Sequence, residues 1–503
     1  MQKNIIVSFY GLFLFLLLSV STVILSDSGA DTSQPSQRIV STLDFDNIGT
    51  DISEIEENIV APMARIMVGE GRFEDPRLFT IDFSGELFLE TFYDARQVRG
   101  FTEDEIVFFP LPRSCDSRGQ DINDKDQFSM IAVRIAGCAT VNGPEIGGAK
   151  TSVVIKGGFE GLGRNVFSEV LSDLTVRLFK LKKGVILFEW DNTRLLMGHF
   201  YHPIVLNYEE IFADTVGKGG GNGYDPFAYA PQIAVRHRIS NVEFIFALAK
   251  LFAEERARWA VTPDLFMQIN GHIREHICGV GINYHVIVPR LEAREDPMVY
   301  KETAQLGSIA PFAFVGLQFD SCKIRSRLSY IQNGGVFTMM GDPFVLSRNP
   351  ITDERFWANS GTVAFWTDFA YCGHKVVELG LFTGISKNVG SPDYIQKGYE
   401  TKFETCQELI TGFMPGGINV ADYMFVCAPR IRLKFGNFTV GGEIEYARAA
   451  FAKSASYSRE EGTWSLNQEN SEWLCDFDSK GRVVNACPVS NFRLLVATSY
   501  AFA

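Results

Sequence analysis

The sequence FRLLVATSYAF at positions 492–502 decides the fold of this chain, because its side chains alternate strictly between two faces. A period of two is that of a β-strand whose faces meet different surroundings. An aromatic strand at the end of a sequence is typical of the closing strand of an outer-membrane β-barrel, which pairs with the first strand and leaves no open edge. One face carries Phe492, Leu494, Val496, Thr498, Tyr500 and Phe502.

A hairpin at positions 430–446 favours the same interpretation. Its two strands meet at a Gly-Asn pair, which is typical of a tight two-residue turn. The register of that turn places Phe435 opposite Phe438 and Arg430 opposite Glu443. Apolar side chains therefore share one side of the hairpin, and charged side chains share the other.

Similar alternation recurs from Phe79 onward, for example at positions 81–90, 280–288 and 323–330. A water-soluble β-sandwich would show the same pattern with its apolar faces turned inward. Several faces carry like charges that suit a hydrated lumen, and aromatic residues gather near strand ends as in interfacial girdles. At roughly 26 residues per strand and connection, the chain predicts an all-β, transmembrane antiparallel β-barrel of about 16 strands.

The composition limits the choice of function. The net charge of −13 argues against nucleic acid as a partner. Beyond the N-terminus, the sequence lacks an apolar run of the ~18 residues that a membrane helix needs. We predict no cofactor and no metal site.

The chain divides into three parts. Residues 1–30 resemble a signal peptide, because Lys3 precedes an apolar stretch that ends at Ser-Gly-Ala; an uncleaved membrane anchor is the alternative. Residues 31–75 are polar and predict a periplasmic linker or a short helix, which the spacing of Ile52, Ile55 and Ile59 favours. Residues 76–503 form the predicted barrel.

Three stretches resemble the DcaP-like outer-membrane porins and related bacterial trimeric porins. The first is GAKTS at 148–152, which leads into FEG at 159–161. The second is LTVRLFK at 174–180, followed by LLMGHFYHP at 195–203. The third is PFAYAPQI at 226–233, in which Ala230 stands where the family usually has Arg. Together they cover residues 79 to about 290 in the family's order. The rest of the chain resembles the family only in its alternating strand pattern.

This resemblance implies a trimer in which each subunit encloses a solute channel. The predicted partners are therefore a lipid bilayer, two further copies of the chain and small polar solutes. The predicted location is the bacterial outer membrane.

Other motifs in the sequence have structural interpretations. The sequence HIREH at 272–276 has the spacing of an HxxEH zinc motif, but its neighbours alternate as in a strand rather than a helix. Residues 143–151 nearly match a phosphate-binding loop, yet a turn followed by a strand is favoured. The Gly-rich stretch 217–223 predicts either a constriction or a surface loop. Cys475 and Cys487 bracket a polar stretch that resembles a disulfide-closed hairpin.

The main functional candidate is a ladder of basic residues inside the pore, with Arg236 and Arg238 as first choices. Basic rings in a pore favour anions through their local field. The alternative is that these residues form salt bridges with Glu443, Glu445 and Asp368, which would give a transverse field instead. Glu443 is assigned to the same lining. The basic ladder comprises Arg134, Arg177, Arg194, Arg236, Arg238, Arg325, Arg327, Arg430, Arg432 and Lys434.

We therefore predict an outer-membrane porin for passive diffusion of small hydrophilic, anionic solutes. The alternative is an exported β-rich surface or carbohydrate-binding protein without a pore. A barrel enzyme is the third and least favoured hypothesis, because no catalytic constellation can be assigned from the spacing of the residues.

Overall fold

The computed structural model describes most of the predicted barrel, in separate segments of the chain. The predicted signal peptide, the predicted helix around residues 52–63, Arg177 and Cys475 lie outside these segments. The described residues are 64–67, 80–101, 106–160, 178–205, 215–216, 221, 223–251, 255–295, 298–349, 351–394, 420–453, 455–458, 463–466 and 476–502.

Sixteen long strands form one antiparallel sheet in which each strand pairs with its neighbours in sequence. The first eight are β1 (Thr80–Asp94), β2 (Gln127–Asn142), β3 (Lys150–Glu160), β4 (Leu178–Glu189), β5 (Thr193–Tyr201), β6 (Tyr229–Ile239), β7 (Val242–Ala249) and β8 (Asp264–Ile273). The others are β9 (His276–Ile287), β10 (Leu306–Gln318), β11 (Cys322–Gln332), β12 (Gly361–Tyr371), β13 (Val377–Gly390), β14 (Ala421–Phe435), β15 (Phe438–Ala452) and β16 (Ala486–Phe502).

The sheet closes on itself because β16 pairs with β1. The register runs from Gly85 opposite Phe502 to Asp94 opposite Arg493. Beyond the end of β16, the short strand Ala64–Met67 pairs with the start of β1. The predicted antiparallel barrel, its strand number and the closing role of the last strand are therefore confirmed.

Connections alternate in length around the barrel. The turn between β6 and β7 is residues 240–241, and that between β14 and β15 is Gly436 and Asn437. The intervening connections are longer, for example residues 202–228 and 333–360. We call the two rims the short-turn end and the long-loop end. This asymmetry is characteristic of outer-membrane barrels.

The predicted hairpin forms with the predicted register. Phe435 lies opposite Phe438, and Arg430 lies opposite Glu443. Gly436 has a positive φ of 58°, which glycine adopts without steric cost. The Gly-Asn turn therefore fixes the register of β14 with β15 from the turn as far as Tyr423, where the register shifts by one residue.

The outer face of the barrel is apolar and exposed. On β16, Phe492, Tyr500 and Phe502 are 55%, 49% and 41% exposed, whereas Arg493 and Leu495 on the opposite face are buried. An uncovered apolar surface that continues around many strands is unfavourable in water and is suited to lipid. The alternation at 492–502 therefore has its apolar side outward, as predicted.

The long connections carry small elements of their own. The described helix Glu255–Trp259 is short, and none of the described helices is long and apolar enough to cross a membrane. Four two-stranded hairpins lie in the connections: Val98–Phe101 with Ile106–Pro110, Glu292–Glu295 with Met298–Lys301, Phe344–Arg348 with Arg355–Ala358, and Ala455–Ser458 with Thr463–Leu466.

Candidate functional site inside the barrel

The inner wall changes character along the barrel axis. In β14, the inward residues near the long-loop end are apolar, and those near the short-turn end are basic. The strand registers place eight members of the basic ladder on the inner face, most of them in the half towards the short turns and Arg327 at mid-strand opposite Trp366. These residues are Arg194, Arg236, Arg238, Arg325, Arg327, Arg430, Arg432 and Lys434.

Arg430 forms the most buried ion pair of this half. Its guanidinium donates to both carboxylate oxygens of Asp368 on β12, at 2.6 and 3.2 Å. The side chains are 0% and 1% exposed. Such a bidentate pair fixes geometry, and a buried charge is tolerated only when it is paired. Arg430 therefore connects β12 to β14 across the intervening β13.

Glu378 on β13 receives two members of the ladder. Arg432 lies 2.9 Å from one carboxylate oxygen and Lys434 lies 2.8 Å from the other. Arg432 also donates to the backbone carbonyl of Thr215, which belongs to the inward connection between β5 and β6. One acid therefore pairs with two cations, and Arg432 joins it to that connection.

Glu443 also holds the β5–β6 connection. It accepts a hydrogen bond from the backbone N–H of Val216 at 2.9 Å and is itself 5% exposed. Its predicted place on the inner wall is matched by its register opposite Arg430. The described residues on either side of the Gly-rich stretch 217–223 thus lie inside the barrel.

Arg327 anchors the same connection at its other side. It donates to Asp225 at 2.8 Å and to the carbonyl oxygen of Ile204 at 3.0 Å. Its guanidinium also lies 4.5 Å from the centre of the Phe312 ring. Burial raises the pKa of the Asp225 carboxyl, and the Arg327 guanidinium opposes that effect.

A second basic group lies on β4–β6. Arg194 and Arg236 face each other across neighbouring strands, and both line a pocket with Lys183. Glu189 lies 2.7 Å from Arg194, and Glu243 lies 3.2 Å from Arg236. Like charges directly opposite each other are destabilising without such acids. The acids explain how the group is tolerated.

Of three further ladder residues, one is placed by a hydrogen bond and two by their strand register. Arg238 is exposed near the turn and donates to the carbonyl oxygen of Ser240 at 3.1 Å. Arg325 lies opposite Asp368 in the register of β11 and β12. Arg134 lies opposite Phe88 in the strand register, and its side chain is not among the described atoms.

Several partners of the ladder were missed by the sequence reasoning: Asp225, Glu189, Glu243, Glu378 and Lys183. Asp225 lies two residues after the Gly-rich stretch, so an acid next to a candidate constriction loop was a usable signal. The other residues lie on neighbouring strands. The only signal for them in the sequence was the alternation of side chains along each strand, which turns them inward.

A further missed pair secures the seam between the first and last strands. Arg493 makes two hydrogen bonds with Asp94, at 2.8 and 2.7 Å, and both residues are buried. Asn491 donates to the same carboxylate at 2.7 Å. The guanidinium of Arg493 also lies 4.0 Å from the centre of the Phe92 ring. β16, whose sequence predicted the fold, thus carries the ion pair that joins the last strand to the first.

The half of the lumen near the long-loop end is filled. Phe337, Met339 and Met340, from the connection between β11 and β12, are 0% exposed. They pack with inward residues of the wall such as Trp366 and Phe382 into one apolar cluster. Described residues of two connections, 202–228 and 333–360, therefore lie inside this half of the barrel.

The zinc-like and phosphate-loop-like motifs form hairpins. His272 pairs with Ile277, whereas His276 pairs with Ile273, so the two histidines lie on opposite faces of the sheet. One metal ion could not bind both. Residues 143–149 form the turn between β2 and β3, as predicted. Cys487 has a free thiol, while its predicted partner lies outside the described residues.

Comparisons with known proteins agree with this architecture. No protein-family model matches the sequence, and no curated protein matches it. The outer-membrane channel DcaP of Acinetobacter baumannii is similar in structure: the TM-score is 0.52, with 10% sequence identity over 86% of this chain and 99% of that chain. The trimer form of OmpT of Vibrio cholerae has a TM-score of 0.45, with 8% identity over 84% and 99% of the two chains.

A third similar structure is OmpF of Salmonella typhi, solved in complex with daunomycin. Its TM-score is 0.44, with 10% identity over 84% of this chain and 98% of that chain. Identities at this level concern the fold alone. The likeness to the DcaP channel agrees with the resemblance noted in the sequence, and an outer-membrane location is consistent with the barrel. This chain therefore has the fold of the outer-membrane porins.

Proposed function

We propose that this protein is an outer-membrane porin through which small hydrophilic, anionic solutes diffuse passively. The observation that carries the proposal is the pairing of an apolar outer face with a charged inner wall on one closed barrel. Lipid can cover the outer face, and water or a polar solute suits the charged half of the inner one. The described structure thus supports a membrane barrel over a soluble protein without a pore.

The anion preference is supported by the group on β4–β6. Lys183, Arg194 and Arg236 line one pocket of the wall, and Glu189 and Glu243 lie beside the two arginines. The three cations that line the pocket give a local field that attracts anions, and the two acids weaken that field. Acidic residues such as Glu443 lie on other strands, so the field has a transverse component as well. The preference would therefore be moderate rather than complete.

Planar-bilayer recordings test the proposal. The wild-type protein should give discrete open steps, and its reversal potential in a KCl gradient should indicate anion preference. Arg236→Ala should lower the anion-to-cation permeability ratio several-fold, whereas Arg236→Lys, which keeps the charge, should retain it. Absence of open steps in the folded protein under any condition would overturn the pore. Unchanged selectivity in Arg236→Ala would overturn the role of this group alone.

We further propose that three copies assemble, with the short turns facing the periplasm. This follows from the sequence resemblance to trimeric porins and from the usual placement of short turns. Light scattering of the detergent complex, corrected for bound detergent, should give three times the mass of one chain. A monomeric complex would contradict the assembly without affecting the pore.

The exported soluble protein and the barrel enzyme are the competing hypotheses. The soluble protein would dissolve without detergent and would not migrate faster in unheated than in heated gel samples. The apolar residues exposed on β16 favour the opposite result for both tests. We place the protein among channels rather than enzymes, because many charged side chains of the described lumen pair with one another and join strands or connections, as Arg430 does with Asp368.

A further inference from the structure

The apolar part of the lumen is built from the connection between β11 and β12. Residues Gly334–Phe337 form a 3-10 helix whose flanking residues, Asn333 and Thr338, have left-handed φ values of 50° and 57°. These two turns direct the segment into the barrel. Phe337, Met339 and Met340 are fully buried there, and we call residues 333–345 the plug.

The plug is held at both of its sides. The Asn333 side chain donates to Ser308 on β10 at 2.7 Å and accepts from the backbone N–H of Ser360 at 3.1 Å. On the other side, the backbone N–H of Phe227 donates to the carbonyl oxygen of Phe337 at 2.9 Å. The plug therefore bridges the wall and the inward β5–β6 connection.

The wall around the plug carries a few polar side chains among apolar ones such as Ile287, Phe312 and Ile331, although the plug itself is apolar. Asn283 and His285 on β9 and Ser329 on β11 face inward and are 0%, 0% and 2% exposed. Their side-chain polar atoms have no hydrogen-bond partner within the part of the chain that the structure describes. The His285 ring instead meets the Phe337 ring edge-on, with the ring centres 5.1 Å apart.

This mismatch matters because buried polar groups without partners cost free energy. If the plug left the wall, water would satisfy Asn283, His285 and Ser329. The apolar contacts of Phe337, Met339 and Met340 act in the opposite direction. Buried polar groups without partners are suited to a lumen that is wet part of the time, because water then satisfies them.

We propose that the plug is a gate: it closes the lumen at the long-loop end, and solutes pass only while it is displaced from β9–β11. The proposal rests on the pore function proposed above. The apolar contacts favour the arrangement with the plug in place. The unpartnered polar groups of the wall favour the arrangement with the plug displaced. Substitutions on the two sides of the contact should therefore shift the equilibrium in opposite directions.

Single-channel recordings on the full-length protein test the gate. Phe337→Ala combined with Met340→Ala removes contacts that favour closure, so the open probability should rise at least fivefold. Asn283→Leu makes the wall apolar, so the open probability should fall by a comparable factor. Ile351→Ala is the matched control, because Ile351 belongs to the same connection and is 72% exposed; it should behave as the wild type.

The outcomes separate the gate from the pore. Equal open probability in all four proteins would overturn the gate and leave the pore intact. Absence of conductance in all four, with heat-modifiable gel migration showing that they are folded, would overturn the pore and the gate with it. A higher open probability in the plug variant (Phe337→Ala with Met340→Ala), together with a lower one in the wall variant (Asn283→Leu), would support both proposals.

Discussion

The two halves of the lumen are held together by different forces, although the same sixteen strands build both. Near the short turns, the wall consists of ion pairs such as Arg430–Asp368, which are directional and depend on both partners. Near the long-loop end, it consists of apolar contacts around Phe337 and Trp366, which depend on area and packing. A single strand, β14, contains both kinds of contact, so one strand can test how far each half contributes to stability.

The largest effect on β14 is expected for Arg430→Ala. The substitution leaves the Asp368 carboxylate buried at 1% exposure without its bidentate partner. Breaking a buried ion pair on one side costs about 3–5 kcal/mol. The midpoint of denaturant unfolding, followed by Trp fluorescence in detergent micelles, measures the loss.

The matched control is the double variant Arg430→Met with Asp368→Leu. Replacing both members of a buried pair by apolar residues is often neutral for stability. The double variant should therefore recover most of the stability that Arg430→Ala loses. If it is as unstable as the single variant, the pair is not what stabilises this half.

An intermediate effect is expected for Val426→Ala on the same strand. Val426 is 2% exposed and faces the apolar half, so the substitution removes two carbon atoms from a packed region. The lost burial and the cavity together cost about 2 kcal/mol. The same unfolding assay applies, and the loss should be the same at low and high salt. A loss that shrinks with salt would show that ionic contacts reach into the apolar half.

The fold was predictable from the sequence because strand parity is a local property. The alternation at 492–502 and the Gly-Asn turn at 436–437 separated the apolar side chains from the charged ones, and the like charges and the aromatic residues near strand ends indicated that the apolar side faces outward. The register of β14 with β15 followed from the turn alone. Local patterns thus predicted the barrel, its approximate strand number and the face of most ladder residues.

The partners of the ladder could not be predicted in the same way. Arg430 and Asp368 are 62 residues apart, and Arg327 and Asp225 are 102 residues apart. Those contacts depend on closure of the barrel and on the inward course of the β5–β6 connection. The plug at 333–345 was missed for a related reason, since a short loop with Phe and Met has no periodicity that indicates burial.

The smallest effect on β14 is expected for Lys434→Ala. The Lys434 side chain is 32% exposed, and its partner Glu378 keeps a second cation, Arg432, after the substitution. A partly exposed pair contributes about 0.2–1 kcal/mol and is screened by salt. The loss relative to the wild type should therefore be small at low salt and should vanish at 1 M KCl, where the Debye length is about 3 Å. If Lys434→Ala were as destabilising as Arg430→Ala, the charged half would depend on the number of ion pairs rather than on their burial.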